Sequence, residues 1–313
     1  MKANKFAPRT AQSFDIPQKV RVSLYVAGAD LDYDFEAAVF DNKLLKSIAD
    51  RPLDKGVRAQ LMKGKLNGLL GFELVRTPSS IGPLTTLLPF LNVGDEVEEI
   101  ILQSQYMVEI TAVEELTEAL FALKIVHYAA AVLAREIGGI VLEPYSLKVY
   151  TDNDDALTQM QSVEKGTPSL KPFLTVVQSL GKGDKLRSTT HGLSRFGLPD
   201  FAVKGADPAL AEPLSYFMRG LAQSFFEDVL KAKHEGLDRY SLAKPQMVSY
   251  DQLQKGNLEE LPAPCQEPVP QEVPLKLNRS GDQAVLGLAF RGRSAVRNAY
   301  LQSLLVGLGL GSI

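Results

Sequence analysis

The chain has one cysteine, no tryptophan and only three histidines among its 313 residues. A lone thiol, Cys265, excludes an internal disulfide and any multi-cysteine zinc site. A dominant charge of one sign is also missing. The 34 basic and 37 acidic residues leave a formal net charge of -3, which builds no strong positive field of the kind that attracts a nucleic-acid backbone. Nucleic acid is therefore not expected as a partner. Long hydrophobic runs are lacking too. The most apolar long segment, Leu116 to Leu133, is interrupted by Glu118, Lys124 and His127 and does not read as a membrane span. The start, MKANKFAPRTAQSF, carries lysines but no apolar core suited to a secretory signal, so a reduced, cytoplasmic setting is expected. What is present belongs to a folded chain: 45% hydrophobic and 23% charged residues, in a length that suits one large domain or two ordinary ones.

Periodicity supplies the elements. KVRVSLYVAG (Lys19–Gly28) places Val20, Val22, Leu24 and Val26 at a period of two and reads as a strand. A helix is expected between Asp32 and Pro52, capped by Asp32 or Asp34. Gly68–Arg76 and Gln105–Thr111 read as further strands, and one or two short helices broken by Pro83, Pro89 and Gly94 lie between them. The longest helix is expected to start at a capping box formed by Thr111 and Glu114, and to stop at Gly138 and Gly139. Leu116, Leu120, Leu123, His127, Ala130 and Ala134 form one stripe along it. Ile140–Tyr150 then reads as two short strands bent at Pro144.

The second half repeats the ingredients in a different order. Two strands flank GKGD as a hairpin. A helix capped by Asp207 buries Leu210, Leu214, Phe217, Leu221 and Phe225. LPAPCQEPVPQEVP (Leu261–Pro274), with five prolines in fourteen residues, is expected to run extended with Cys265 accessible. A late strand and a final helix follow. The fold expected is α+β, with two packed lobes that are each a mostly antiparallel sheet covered by a long helix. Its parts are an N-terminal arm (1–18), a first lobe (19–160) and a second lobe (161–313) that includes the connector 261–274.

Candidate sites are few. DLDYDFE (Asp30–Glu36) alternates acids like a calcium loop, but position six is Phe35 where glycine is needed and position twelve is Asp41 where glutamate is needed. A turn with a helix cap suits it better. GKGDK joins two strands and lacks the serine or threonine of a phosphate loop. GLGLGSI has no strand before it and no helix after it, so it is no dinucleotide fingerprint. His127 sits on the apolar stripe and reads as a core histidine, and His234 lies in a last helical turn, where a cation is favoured.

His191 stands apart, at the end of a strand in TTHGLSRFGLPDF. Ser194 and Asp200 suggest a nucleophile and an orienting acid around it, yet triads are gathered from distant segments and no G-x-S-x-G elbow is present. The reading from the residues is a structural or binding corner made of His191, Gly192, Phe196, Gly197, Pro199 and Asp200, with the His191 ring in a local hydrogen bond.

Three motifs taken together carry a resemblance: GGIVLEP (138–144), THGLSRFGLPD (190–200), and a helix start that bears Pro208 and Pro213. In this order, over approximately residues 100–235, they resemble an uncharacterised bacterial family with a GG-hydrophobic-hydrophobic-x-[DE]-P strand and a THGLxxFGxP[DE] corner. Some of its relatives occur among antagonism and immunity proteins. The resemblance implies no activity. It points only toward binding; the lack of a convincing metal, phosphate or nucleophile motif adds the expectation of a non-enzymatic, immunity-type protein that binds another protein through a surface, without cofactor or metal. The alternative is a hydrolase or transferase with His191 in a cleft between the lobes.

Overall fold

A computed structural model describes residues 12–28, 70–91, 93–151, 169–181, 183–258, 261–280, 283–289 and 294–310. The first strand among the described residues is the three-residue β1 (Ser13–Asp15), whose partner lies more than two hundred residues away in sequence. It divides into an inserted unit, Lys19–Pro168, and a split unit made of Met1–Gln18 with Ser169–Ile313. The N-terminal arm is thus part of the second unit. The division falls at 168/169, in place of the expected 160.

In the inserted unit, β2 (Lys19–Ala27), β3 (Leu70–Arg76), β4 (Tyr106–Glu115), β5 (Ile140–Glu143) and β6 (Lys148–Tyr150) form an antiparallel sheet in the order β3-β4-β2-β5-β6. Two helices, α1 (Gly82–Leu91) and α2 (Asp95–Gln103), connect β3 to β4. Pro89 lies inside α1 and breaks nothing; the interruption is at Gly94, with φ of 89°, an angle that glycine adopts without steric cost. The long helix α3 (Ala119–Ile137) packs on β2, β4 and β5. Its end matches expectation, because Gly138 adopts the left-handed conformation that closes a helix. Its start does not. β4 runs on to Glu115, with Lys19 opposite Glu115 and Val22 opposite Ala112, so Thr111 and Glu114 are strand residues. The helix that was expected from Asp32 lies outside the described residues.

In the split unit, β7 (Thr175–Gly181) and β8 (Lys185–His191) form the hairpin around GKGD, and β9 (Asp200–Ala206) follows. Gly183 (φ 71°) and Asp184 (φ 51°) make the turn. The helix α4 (Ala211–His234) follows a short turn that Asp207 caps, its Oδ1 accepting from the Ala209 amide. β10 (Arg239–Ser241) pairs with β1, and β11 (Gln246–Val248) precedes α5 (Tyr250–Asn257). Beyond the proline-rich segment, β12 (Gln271–Val273) pairs with β11. Two last strands, β13 (Leu275–Ser280) and β14 (Gln283–Leu288), lead into α6 (Ser294–Gly307). The sheet order is β13-β14-β9-β8-β7, with β14 and β9 parallel and every other pair antiparallel. Phe201, Phe217, Phe225 and Phe226, each at most 1% exposed, fill the core beneath α4. Rings of this size dominate the apolar area that folding removes from water. The architecture is α+β.

The proline-rich segment forms no helix or strand over 261–270, and Cys265 is exposed. It is nevertheless tied down. The amides of Cys265 and Val269 donate to the carbonyls of Gly309 and Gly307 at 3.0 and 2.8 Å. A proline-rich chain keeps only scattered donors, and here they hold the turn that ends α6.

Candidate functional site

The corner between β8 and β9 is built from two glycines and a short helical turn. Gly192 (φ 137°) leaves the strand, Leu193–Phe196 make a turn of 3₁₀ helix, and Gly197 (φ 68°) ends it. Both angles lie where side chains are strained. At Gly192 space forbids a side chain as well, since a Cβ there would lie 2.2 Å from the Phe173 carbonyl oxygen.

Asp200 closes the corner. Its Oδ1 accepts from the Thr190 hydroxyl at 3.0 Å and from the Leu193 amide at 3.2 Å, and its Oδ2 accepts from the Ser194 amide at 3.3 Å. The Thr190 oxygen in turn accepts from the Phe201 amide at 2.7 Å. One carboxylate and one hydroxyl thus satisfy the backbone donors that the bend leaves without a strand partner. Burial pushes the Asp200 carboxyl up to about 6, against the pull of its donors Leu193, Thr190 and Ser194 in the other direction.

Arg195, at 3% exposure, is the residue that sequence reasoning missed. Its Nε donates to the Gly192 carbonyl at 3.0 Å and its Nη2 to the Phe173 carbonyl at 3.1 Å. The guanidinium lies over the rings of Phe173 and Phe196, 5.9 and 5.8 Å from their centroids. Phe196 packs on Phe226 of α4 with ring centroids 5.0 Å apart, and Pro199 is buried. An arginine between two glycines gives no period and no motif to find. Its signal is only in three dimensions.

His191 is half-buried and makes no hydrogen bond among the described residues, so the local bond expected for its ring is not formed. Burial, and then the nearby Arg187, lower its pKa below 6.5. Asp200 is bonded to Thr190, to the Leu193 amide and to both the amide and the side chain of Ser194, and not to the imidazole. The three residues of the imagined triad therefore share a corner without the wiring of one.

The remaining candidates separate from this corner. His127 is fully buried. Its Nδ1 lies 2.8 Å from the Leu123 carbonyl and therefore carries the hydrogen, which leaves Nε2 to accept from Tyr150 Oη at 3.4 Å. His234 lies exposed in the last turn of α4. Asp30–Glu36 fall outside the described residues, and among those described no group of three His, Cys, Asp or Glu residues could hold a metal ion. No helix among them is long and apolar enough to cross a membrane.

No protein-family model, no curated protein and no solved structure matches this chain. The site must be read on its own chemistry.

Proposed function

We propose that this is a non-enzymatic bacterial protein, cytoplasmic and immunity-like, that binds another protein through a surface of the split unit. One observation carries the reading. β7 is an edge strand, and among the described residues no strand pairs with its outer side. Its sequence, TVVQSLG, holds no charge and no proline, and Leu180 is 64% exposed. The other outer strands of the two five-stranded sheets carry charges. β3 carries Glu73 and Arg76, β6 carries Lys148, and β13 carries Lys276 and Arg279. Charges on an edge discourage pairing with a foreign strand. An edge without them suits an extended partner that adds to the sheet through main-chain hydrogen bonds.

The corner supports the same reading, because its polar groups are engaged in holding the backbone and leave His191 without an orienting acid. The resemblance of THGLSRFGLPD to a family with relatives among antagonism and immunity proteins points the same way. The test is affinity capture from a bacterial lysate with wild type and with Leu180→Lys, which places a charge on the unprotected edge. Capture of a defined protein by the wild type and its loss in the variant are expected. Capture that survives Leu180→Lys, or no capture at all, refutes the reading.

A further inference from the structure

The strand register sorts the split unit's sheet into two faces. Leu186, Thr190, Phe201, Val203 and Leu286 are buried on one of them. The opposite face carries Lys185, Arg187, Lys204 and Lys276. Ser179 pairs with Arg187, Arg187 with Lys204, and Lys276 with Gly287, which in turn pairs with Ala202. Arg187, Lys204 and Lys276 are exposed, and none of the four is in an ion pair among the described residues. Arg187 also lowers the pKa of His191, which places its charge over this same face. The one acid at an outward strand position, Asp200, has its carboxylate held by Thr190, Leu193 and Ser194. Asp184 lies in the hairpin turn, and Asp207 caps the turn before α4. On a chain of net charge -3, a sheet face with four unpaired cations is a local inversion of sign.

We infer that this face and the β7 edge form one docking surface for an acidic, extended protein segment. The inference rests on the binding reading above and names the chemistry of the partner. Outward positions on β7 are Thr175, Val177 and Ser179, all short and neutral. Strands in a sheet lie about 4.8 Å apart, so a strand added beside β7 stands about 10 Å from β8, within reach of long side chains that cross over short ones. Lys185 and Arg187 on β8 can then meet carboxylates on alternate residues of the added strand, and Arg187 offers the planar fork that such groups accept. Lys204 and Lys276, farther across the sheet, extend the attractive field that steers an acidic partner in. A protein segment fits better than nucleic acid, because the face presents no Phe or Tyr on which bases could stack and the open β7 edge offers main-chain hydrogen bonds that only a peptide strand can complete.

The test is fluorescence anisotropy with a labelled peptide of alternating glutamate and threonine, beside its glutamine–threonine counterpart, a thymidine oligonucleotide and phosphatidylserine vesicles. The glutamate peptide is expected to bind more tightly than the other three and to weaken between about 50 and about 300 mM salt. Arg187→Gln/Lys204→Gln should lower its affinity about tenfold or more, while Lys231→Gln, an exposed cation on α4, should change it little. Both substitutions remove exposed groups, and an unchanged melting temperature confirms that folding is intact. Failure of the glutamate peptide to bind overturns the inference, as does tighter binding of the oligonucleotide or vesicles, or equal loss in Lys231→Gln. Capture of a partner that is sensitive to Leu180→Lys but indifferent to the double variant would sink this inference alone and leave the binding reading standing.

Discussion

At the scale of residues, the corner is held by three devices: two left-handed glycines, one carboxylate and one buried arginine. Gly192→Val asks for both a forbidden angle and a Cβ inside the Phe173 carbonyl, so it should destabilise the protein by more than ~3 kcal/mol. His191→Ala should cost under ~1 kcal/mol, because the ring is half-buried and has no hydrogen-bond partner to abandon. Chemical denaturation of both variants checks the pair; a larger loss for His191→Ala would restore the ring as a structural anchor. Asp200 yields a pH dependence. Its folded pKa of about 6 lies above the 3.8 of a free side chain, so its contribution favours folding most below pH 3.8 and fades as the pH rises through 6. Asp200→Asn removes that titration. The melting temperature of the variant relative to wild type should therefore climb between pH 4 and pH 7, and a flat difference would show that the donors cancel the effect of burial. The glycines and the acid of this corner were legible in TTHGLSRFGLPDF, since turn chemistry is local. The burial of Arg195 was not, because it depends on Phe173, which reaches the corner only through the fold.

At the scale of elements, the sequence reading succeeded where signals were local and failed where two readings shared one signal. GKGD marked its hairpin, and Gly138 marked the end of α3. Thr111 and Glu114 have the spacing of a capping box, but the β-branched run that precedes them continues as strand, and pairing with β2 outweighs the cap. The box that does form is Ser249 with Gln252 at the start of α5, where the Gln252 side chain accepts from the Ser249 amide at 2.9 Å. β13 went unseen because LKLNRS is charged and short; its place is set by β14 across six residue pairs. The proline-rich segment shows the same lesson in reverse. Its extended course was legible, while its bonds to Gly307 and Gly309 were not. Since Cys265 is exposed and its amide rather than its thiol makes the tie to Gly309, it should react with a thiol reagent in the native protein nearly as fast as in denaturant. Strong protection would mean that the segment is covered.

At the scale of the whole molecule, the order of the chain and the order of the structure disagree. Residues 19–168 interrupt a unit whose first strand lies at 13–15. No sequence pattern announces this, because β1 is three residues long and its partner β10 equally short. The closure is nonetheless substantial. Phe14, 8% exposed, packs on Phe225 and Tyr240 with ring centroids 5.7 and 5.5 Å away. The Ile16 amide donates to the Asp238 carbonyl at 2.8 Å, and the Gln12 side chain accepts from the Leu277 amide at 2.7 Å. Pro17 seals Gly197 at the corner, 3.0 Å from where a Cβ would sit. A buried phenylalanine cut back to alanine typically costs about 3–5 kcal/mol. Phe14→Ala should therefore lower the stability of α4 and the β7–β9 sheet by roughly that amount, although more than one hundred and fifty residues separate it from them along the chain. Hydrogen exchange on the full-length protein locates the loss. Faster exchange at Phe225 and its neighbours, with β2 unchanged although it begins five residues after Phe14, is the expected pattern. Loss of protection confined to β2 would show instead that the N-terminal arm belongs with the inserted unit.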